Sequence, residues 1–144
     1  MYTGPVAGDE AMAERASRGG GQPEEFFCAA TFLPVRRWRH VPGFLMLSRR
    51  VTRQVREAPG MVMWAVRANF PKKHFWTLSV WKDRASANAF VKGEPHATAV
   101  RRFPGLAGQG AAFAEWRSTS PKVSWEEALE RLKSPTFYYR GTKG

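Results

Sequence analysis

Four stretches of the chain alternate like strands, and three carry a helical apolar stripe. The most informative runs from His74 to Phe90. Its first part, His74-Phe75-Trp76-Thr77-Leu78-Ser79-Val80-Trp81, is β-branched and aromatic, as a strand requires. Trp76, Leu78 and Val80 fall on one face; Phe75, Thr77, Ser79 and Trp81 fall on the other. Large residues on both faces need a cover on each. Residues 25–34 read the same way, with Phe26, Cys28, Ala30 and Phe32 opposite Phe27, Ala29, Thr31 and Leu33.

Between these strands, residues 41–58 show a helical stripe of Phe44, Leu47 or Ser48, Val51 and Val55. Arg49, Arg50, Arg53 and Arg56 take the other side, and Pro59-Gly60 stops the helix. Residues 61–69 form a strand in which Met61, Met63, Ala65 and Arg67 alternate with Val62, Trp64 and Val66. Phe70-Pro71-Lys72-Lys73 turns it into the 74–81 strand as a hairpin. Asp83 is the N-cap of a second helix with Ala85, Ala89 and Phe90 on its apolar side. Gly93-Glu94-Pro95 interrupts that helix, and Ala97, Val100 and Phe103 continue the stripe to Pro104-Gly105. Residues 111–119 are the fourth strand. Ser124 then caps a last helix, with Glu127 in the capping-box position and Trp125, Leu129 and Leu132 on the buried side. The tail, with Phe137-Tyr138-Tyr139, adds a short strand or wraps a partner.

This order of elements predicts an α+β, ferredoxin-like βαββαβ fold with a four-stranded antiparallel sheet. The domain spans residues 24–120, and 121–144 form the extra C-terminal helix and tail. Residues 1–23, ending in Arg18-Gly19-Gly20-Gly21-Gln22-Pro23, read as a flexible tail. Two helices cover one face of such a sheet. The other face carries Phe, Trp, Met and Leu and is too apolar to stay wet. A second copy of the sheet is the expected cover, giving a homodimer and a dimeric α/β barrel.

Composition adds three points. Six Trp and ten Phe in 144 residues exceed what a small core needs, so some are expected to line a pocket or interface. The single Cys28 excludes an internal disulfide and a Cys-rich metal site, and no apolar run is long enough for a membrane span or a signal peptide. The expected location is therefore the cytoplasm. The net charge is +11, and residues 1–23 contribute −1, so the remainder carries about +12. Either a solvated surface or an anionic partner accounts for it. Nucleic acid is disfavoured, because no basic-aromatic RNA-binding run lies on a middle strand. Arg37, Arg39 and His40 form a basic connector that could hold an anion.

Thr77-Leu78-Ser79-Val80-Trp81-Lys82-Asp83, then Ala89-Phe90 and Pro95-His96, together with Pro59-Gly60-Met61, resemble the dimeric α/β-barrel superfamily. The branch it looks most like is the antibiotic-biosynthesis-monooxygenase-like group and its spheroidene-monooxygenase-like relatives. The resemblance covers residues 24–120 and implies one of two activities. The first is monooxygenation of a small apolar or aromatic substrate with no cofactor. The second is haem binding or degradation. In the haem-degrading relatives the ligand His lies one helical turn beyond His96, where Val100 stands here. A non-enzymatic ligand-binding protein is the third reading, and whether the chain is an active oxidoreductase stays open. Within the resemblance, His96 and Asn69 are the candidate catalytic residues. Trp64, Trp76, Trp81, Trp116 and Ser79 are the candidates for binding a small organic ligand.

Overall fold

The computed structural model describes residues 25–138; the expected N-terminal tail and the last six residues lie outside the described residues. Strand β1 (Phe26–Pro34) leads through a short turn at Trp38–His40 into helix α1 (Val41–Arg56). Strands β2 (Met61–Asn69) and β3 (His74–Trp81) follow as a hairpin. Helices α2 (Arg84–Lys92) and α3 (His96–Leu106) come next, then β4 (Ala112–Ser118), α4 (Trp125–Leu132) and β5 (Phe137–Tyr138). The sheet is antiparallel in the order β2-β3-β1-β4-β5. The first four strands have the predicted ferredoxin-like plan, and the tail contributes the fifth, pairing Phe137 with Phe113. No helix among the described residues is long and apolar enough to cross a membrane.

Helices α1, α2 and α3 cover one face. Phe27, Trp64 and Trp81 from the sheet pack there against Val51 and Val55 of α1 and Ala87 and Phe90 of α2. At the other end of the same face, Val35 and Phe75 meet Val41 and Phe44 of α1 and Phe103 of α3. Asp83 caps α2 as expected, accepting from the Ser86 backbone N–H at 2.8 Å. The cap sets the phase of the helix differently from the sequence pattern: Ala87 and Phe90 turn inward, while Ala85 and Ala89 are exposed.

On the opposite face part of the cover comes from within the chain, because α4 lies across one end of it. Phe26, Cys28, Leu78, Val80, Ala114 and Trp116 pack beneath α4 together with Val123. Ala128, fully buried, is the contact residue, flanked by partly buried Trp125 and Leu132. The stripe of large residues hid this, since it is the small side chain that lets the helix axis approach the sheet. The anchoring is polar as well. Ser124 caps α4 by accepting from the Glu127 N–H at 3.1 Å. The Glu127 carboxylate, which a full capping box would send back to Ser124, accepts the Trp116 indole N–H at 2.8 Å instead. The Arg131 guanidinium lies 5.4 Å above the same indole. Burial under α4, and secondarily the negative charge of Glu127, push the Cys28 thiol up to about 12, so it stays protonated and inert.

What α4 leaves uncovered is the far end of that face. Phe32, paired across the ladder with Trp76, stacks on it at 5.5 Å and meets His74 edge-on at 4.9 Å. All three rings are partly exposed.

Candidate functional site

The helix-side face brings together the residues with chemical potential. Trp64 on β2 sits across from Ser79 on β3, which in turn pairs with Ala29 on β1. Trp64 is 6% exposed, and its indole N–H, itself buried, has no hydrogen-bond partner. An unmatched buried donor costs about 1–3 kcal/mol, which makes this N–H the unsatisfied polar group of the helix-side face.

Phe90 of α2 packs against the Trp64 ring. Its ring stands edge-on to Trp64 at 6.4 Å, tilted against Trp81 at 5.2 Å, and against the His96 imidazole at 4.7 Å. His96 is the first residue of α3, and the helix break at Gly93-Glu94-Pro95, whose Glu94–Pro95 peptide is cis, puts it there. Gln54 of α1 fixes the break from the side. Its amide N–H donates to the Phe90 carbonyl at 3.0 Å, and its amide oxygen accepts the His96 backbone N–H at 2.8 Å. One side chain thus satisfies the end of α2 and the start of α3. The His96 Nδ1 faces the Val91 carbonyl at 3.3 Å. An Nδ1–H donated there leaves Nε2 as a lone-pair acceptor. Burial lowers the His96 pKa, partly offset by the Val91 hydrogen bond, so the ring is neutral at pH 7.

Outside this cluster, a groove of about 860 Å³ runs between α1 and α2. Arg50, Arg53, Gln54 and Glu57 line one wall, and Lys82, Asp83, Ser86, Ala89 and Phe90 line the other. Phe90 therefore belongs both to the groove and to the core beside Trp64.

Of the residues singled out from sequence, His96, Trp64, Trp81 and Ser79 share this face. Trp76 and Trp116 lie on the opposite one, the latter under α4. Asn69 is remote: it ends β2 opposite His74, about 23 Å along β3 from Trp81 at the usual strand rise. Its side chain accepts from the Lys72 N–H at 3.4 Å and shapes the hairpin turn. Arg37, Arg39 and His40 flank the start of α1, beside the Phe44–Phe75–Phe103 end of the core. The His40 pKa is lowered by burial first and then by Arg39, Arg36 and Arg37. Sequence reasoning missed Gln54, whose partners are 36 and 42 residues away. It also took Phe90 only as a core residue.

A lowered His96 pKa gives a signed expectation. The unfolded chain takes up the proton first, so the stability tied to neutral His96 is present above about pH 6.5 and lost as pH falls below it. We expect the urea midpoint of the wild type to fall more between pH 7 and pH 5 than that of His96→Gln. Equal falls would show that His96 is not held neutral by the fold.

No family model and no curated protein matches the chain. Solved structures do. The crystal structure of an antibiotic biosynthesis monooxygenase matches with a TM-score of 0.56 at 15% identity, over 62% of this chain and 95% of that one. A conserved protein from Methanosarcina mazei matches with a TM-score of 0.58 at 12% identity, over 65% of this chain and 93% of that one. SnoaB, a cofactor-independent oxygenase from Streptomyces nogalater, matches with a TM-score of 0.50 at 14% identity, over 69% of this chain and 96% of that one. At such identities the likeness is one of fold. By fold, then, the chain is a ferredoxin-like α+β structure similar to those of antibiotic-biosynthesis-monooxygenase-like proteins.

Proposed function

We propose that the chain is a cofactor-independent monooxygenase for a small aromatic substrate, with its site at Trp64 and His96. The observation that carries this reading is the buried, unpartnered indole N–H of Trp64, whose ring shares the Phe90 ring as a neighbour with the neutral His96 imidazole. The oxygenase activity of a neighbour in fold agrees with it. In the proposed chemistry, His96 Nε2 takes a proton from a methylene activated by an adjacent ring carbonyl. Trp64 N–H donates to the resulting enolate oxygen. The enolate carbon adds dioxygen, and the peroxide takes the proton back from His96. Loss of water, which removes the second hydrogen from the same carbon, leaves a ketone. One oxygen atom enters the product and the other leaves as water.

Haem fits these residues poorly. Phe90, Trp64 and Trp81 fill the space between the sheet and α2. Val100, where the resemblance puts the axial ligand, has no lone pair and is 39% exposed.

A second copy of the chain is the proposed cover for the rings of Phe32, His74 and Trp76. Sedimentation should give a two-chain mass for the wild type and a one-chain mass for Trp76→Glu. A one-chain wild type contradicts the dimer without touching the site.

For the site itself, oxygen uptake with anthrone-type and quinol-type substrates should proceed without added metal or cofactor. His96→Ala and Trp64→Phe should each slow it about 100-fold. Asn69→Ala, remote from the cluster, should match the wild type. Equal rates in wild type, His96→Ala and Trp64→Phe would sink the assignment.

A further inference from the structure

We infer that the groove between α1 and α2 takes the carboxylate of an aromatic carboxylate ligand, and that the Phe90 side chain is the gate through which the ligand's ring reaches Trp64. The gate rests on the reading of Trp64 and His96 as the site; the groove does not.

The ring specificity comes from what Phe90 now touches. Its neighbours on the inside are the rings of Trp64, Trp81 and His96. A space bounded by three rings and filled by a phenyl group has the shape of an aromatic ring. Turning Phe90 outward empties that space and opens a path to the unpartnered Trp64 N–H. The backbone does not need to move. Gln54 holds the Phe90 carbonyl and the His96 N–H, so the freedom left to Phe90 is rotation of its side chain. The outward side offers room, because Ala85, Ser86 and Ala89 line the groove there with small side chains.

The charge preference comes from which groups in the groove are already matched. The groove is lined by Arg50, Arg53 and Lys82 and by Glu57, Asp83 and Glu94, three charges of each sign. Two of the carboxylates are engaged. Asp83 caps α2 through the Ser86 N–H. Glu94 accepts from the Thr98 N–H at 2.9 Å, from the Thr98 hydroxyl at 2.6 Å and from Arg101 at 3.2 Å. The cations are not: among the described residues Arg50, Arg53 and Lys82 form no ion pair, and Arg50 reaches only the Met46 sulfur at 4.0 Å. Arg50 and Arg53 are three apart on α1 and so share a helix face. Two unmatched guanidinium groups on one wall are a receptor for a carboxylate, which they can bind through paired N–H donors. The mouth of the site thus selects the anion, and the slot behind Phe90 selects the ring.

The test is calorimetric titration of the full chain with 2-naphthoate and with neutral 2-naphthamide, which share the ring system. Wild type should bind 2-naphthoate at least about tenfold more tightly. The surface double variant Arg50→Gln/Arg53→Gln should keep its circular dichroism spectrum and lose that preference. No binding of 2-naphthoate, equal binding of the two probes, or a preference that survives in the double variant overturns the groove. Stopped-flow association should be at least about tenfold faster in Phe90→Ala, and faster also in the milder Phe90→Leu, because no ring has to swing aside. Unchanged association in both overturns the gate. Trp64→Phe separates the two layers. If it leaves affinity and preference untouched, the reading of Trp64 fails while the groove stands. If it weakens both probes while the arginine variant changes nothing, the groove fails while the site stands.

Discussion

Both faces of β1 and β3 are apolar, and that constraint shapes everything around them. Burying one face alone would leave Phe26, Leu78, Val80 and Trp116 in water, at roughly 1.5–3 kcal/mol for each large side chain. Helices α1 to α3 cover the first face. The second is divided: α4 closes the end that holds Cys28 and Trp116, and the rings of Phe32, His74 and Trp76 remain partly exposed at the other. The Trp116–Glu127 hydrogen bond is central to this division. It satisfies a buried indole and ties α4 to β4 with the same atoms.

The two indoles make an informative contrast. Trp116 sits under a helix that supplies a carboxylate for its N–H; Trp64 sits under a helix that supplies only the apolar Ala87 and Phe90. A packed protein rarely leaves such a donor unmatched. Gln54 fixes the backbone on both sides of the α2–α3 break, which carries Phe90, packed against Trp64, and His96, packed against Phe90. The proposed site is therefore framed by long-range contacts from α1, while the strand that carries Trp64 supplies its unpartnered N–H.

Much of the fold was legible because it follows from local periodicity and caps. The bounds of β2 and β3, the Asp83 and Ser124 caps and the break before His96 all lie in short stretches whose residue types dictate them. The position of α4 was not legible. Its amphipathic stripe says that it packs, but not on which face, and Ala128 as the contact residue reads as an unremarkable small side chain. The site was legible in part. Strand parity puts Ser79 and Trp81 together and Trp76 apart, whereas Asn69 shares a strand with Trp64 and still belongs to a turn at the far end. Gln54 and the double role of Phe90 depend on contacts between elements dozens of residues apart, and nothing in their local sequence announces them.

The central claim is that the Trp64 indole N–H waits for a ligand between the sheet and α2. Nitrogen-15 NMR of the tryptophan indoles during titration with an aromatic ketone tests it most directly. The account expects the Trp64 Nε1–H resonance to move downfield and gain protection from solvent exchange, while Trp116, already bonded to Glu127, stays in place. A titration that shifts Trp76 on the opposite face and leaves Trp64 unmoved would contradict it.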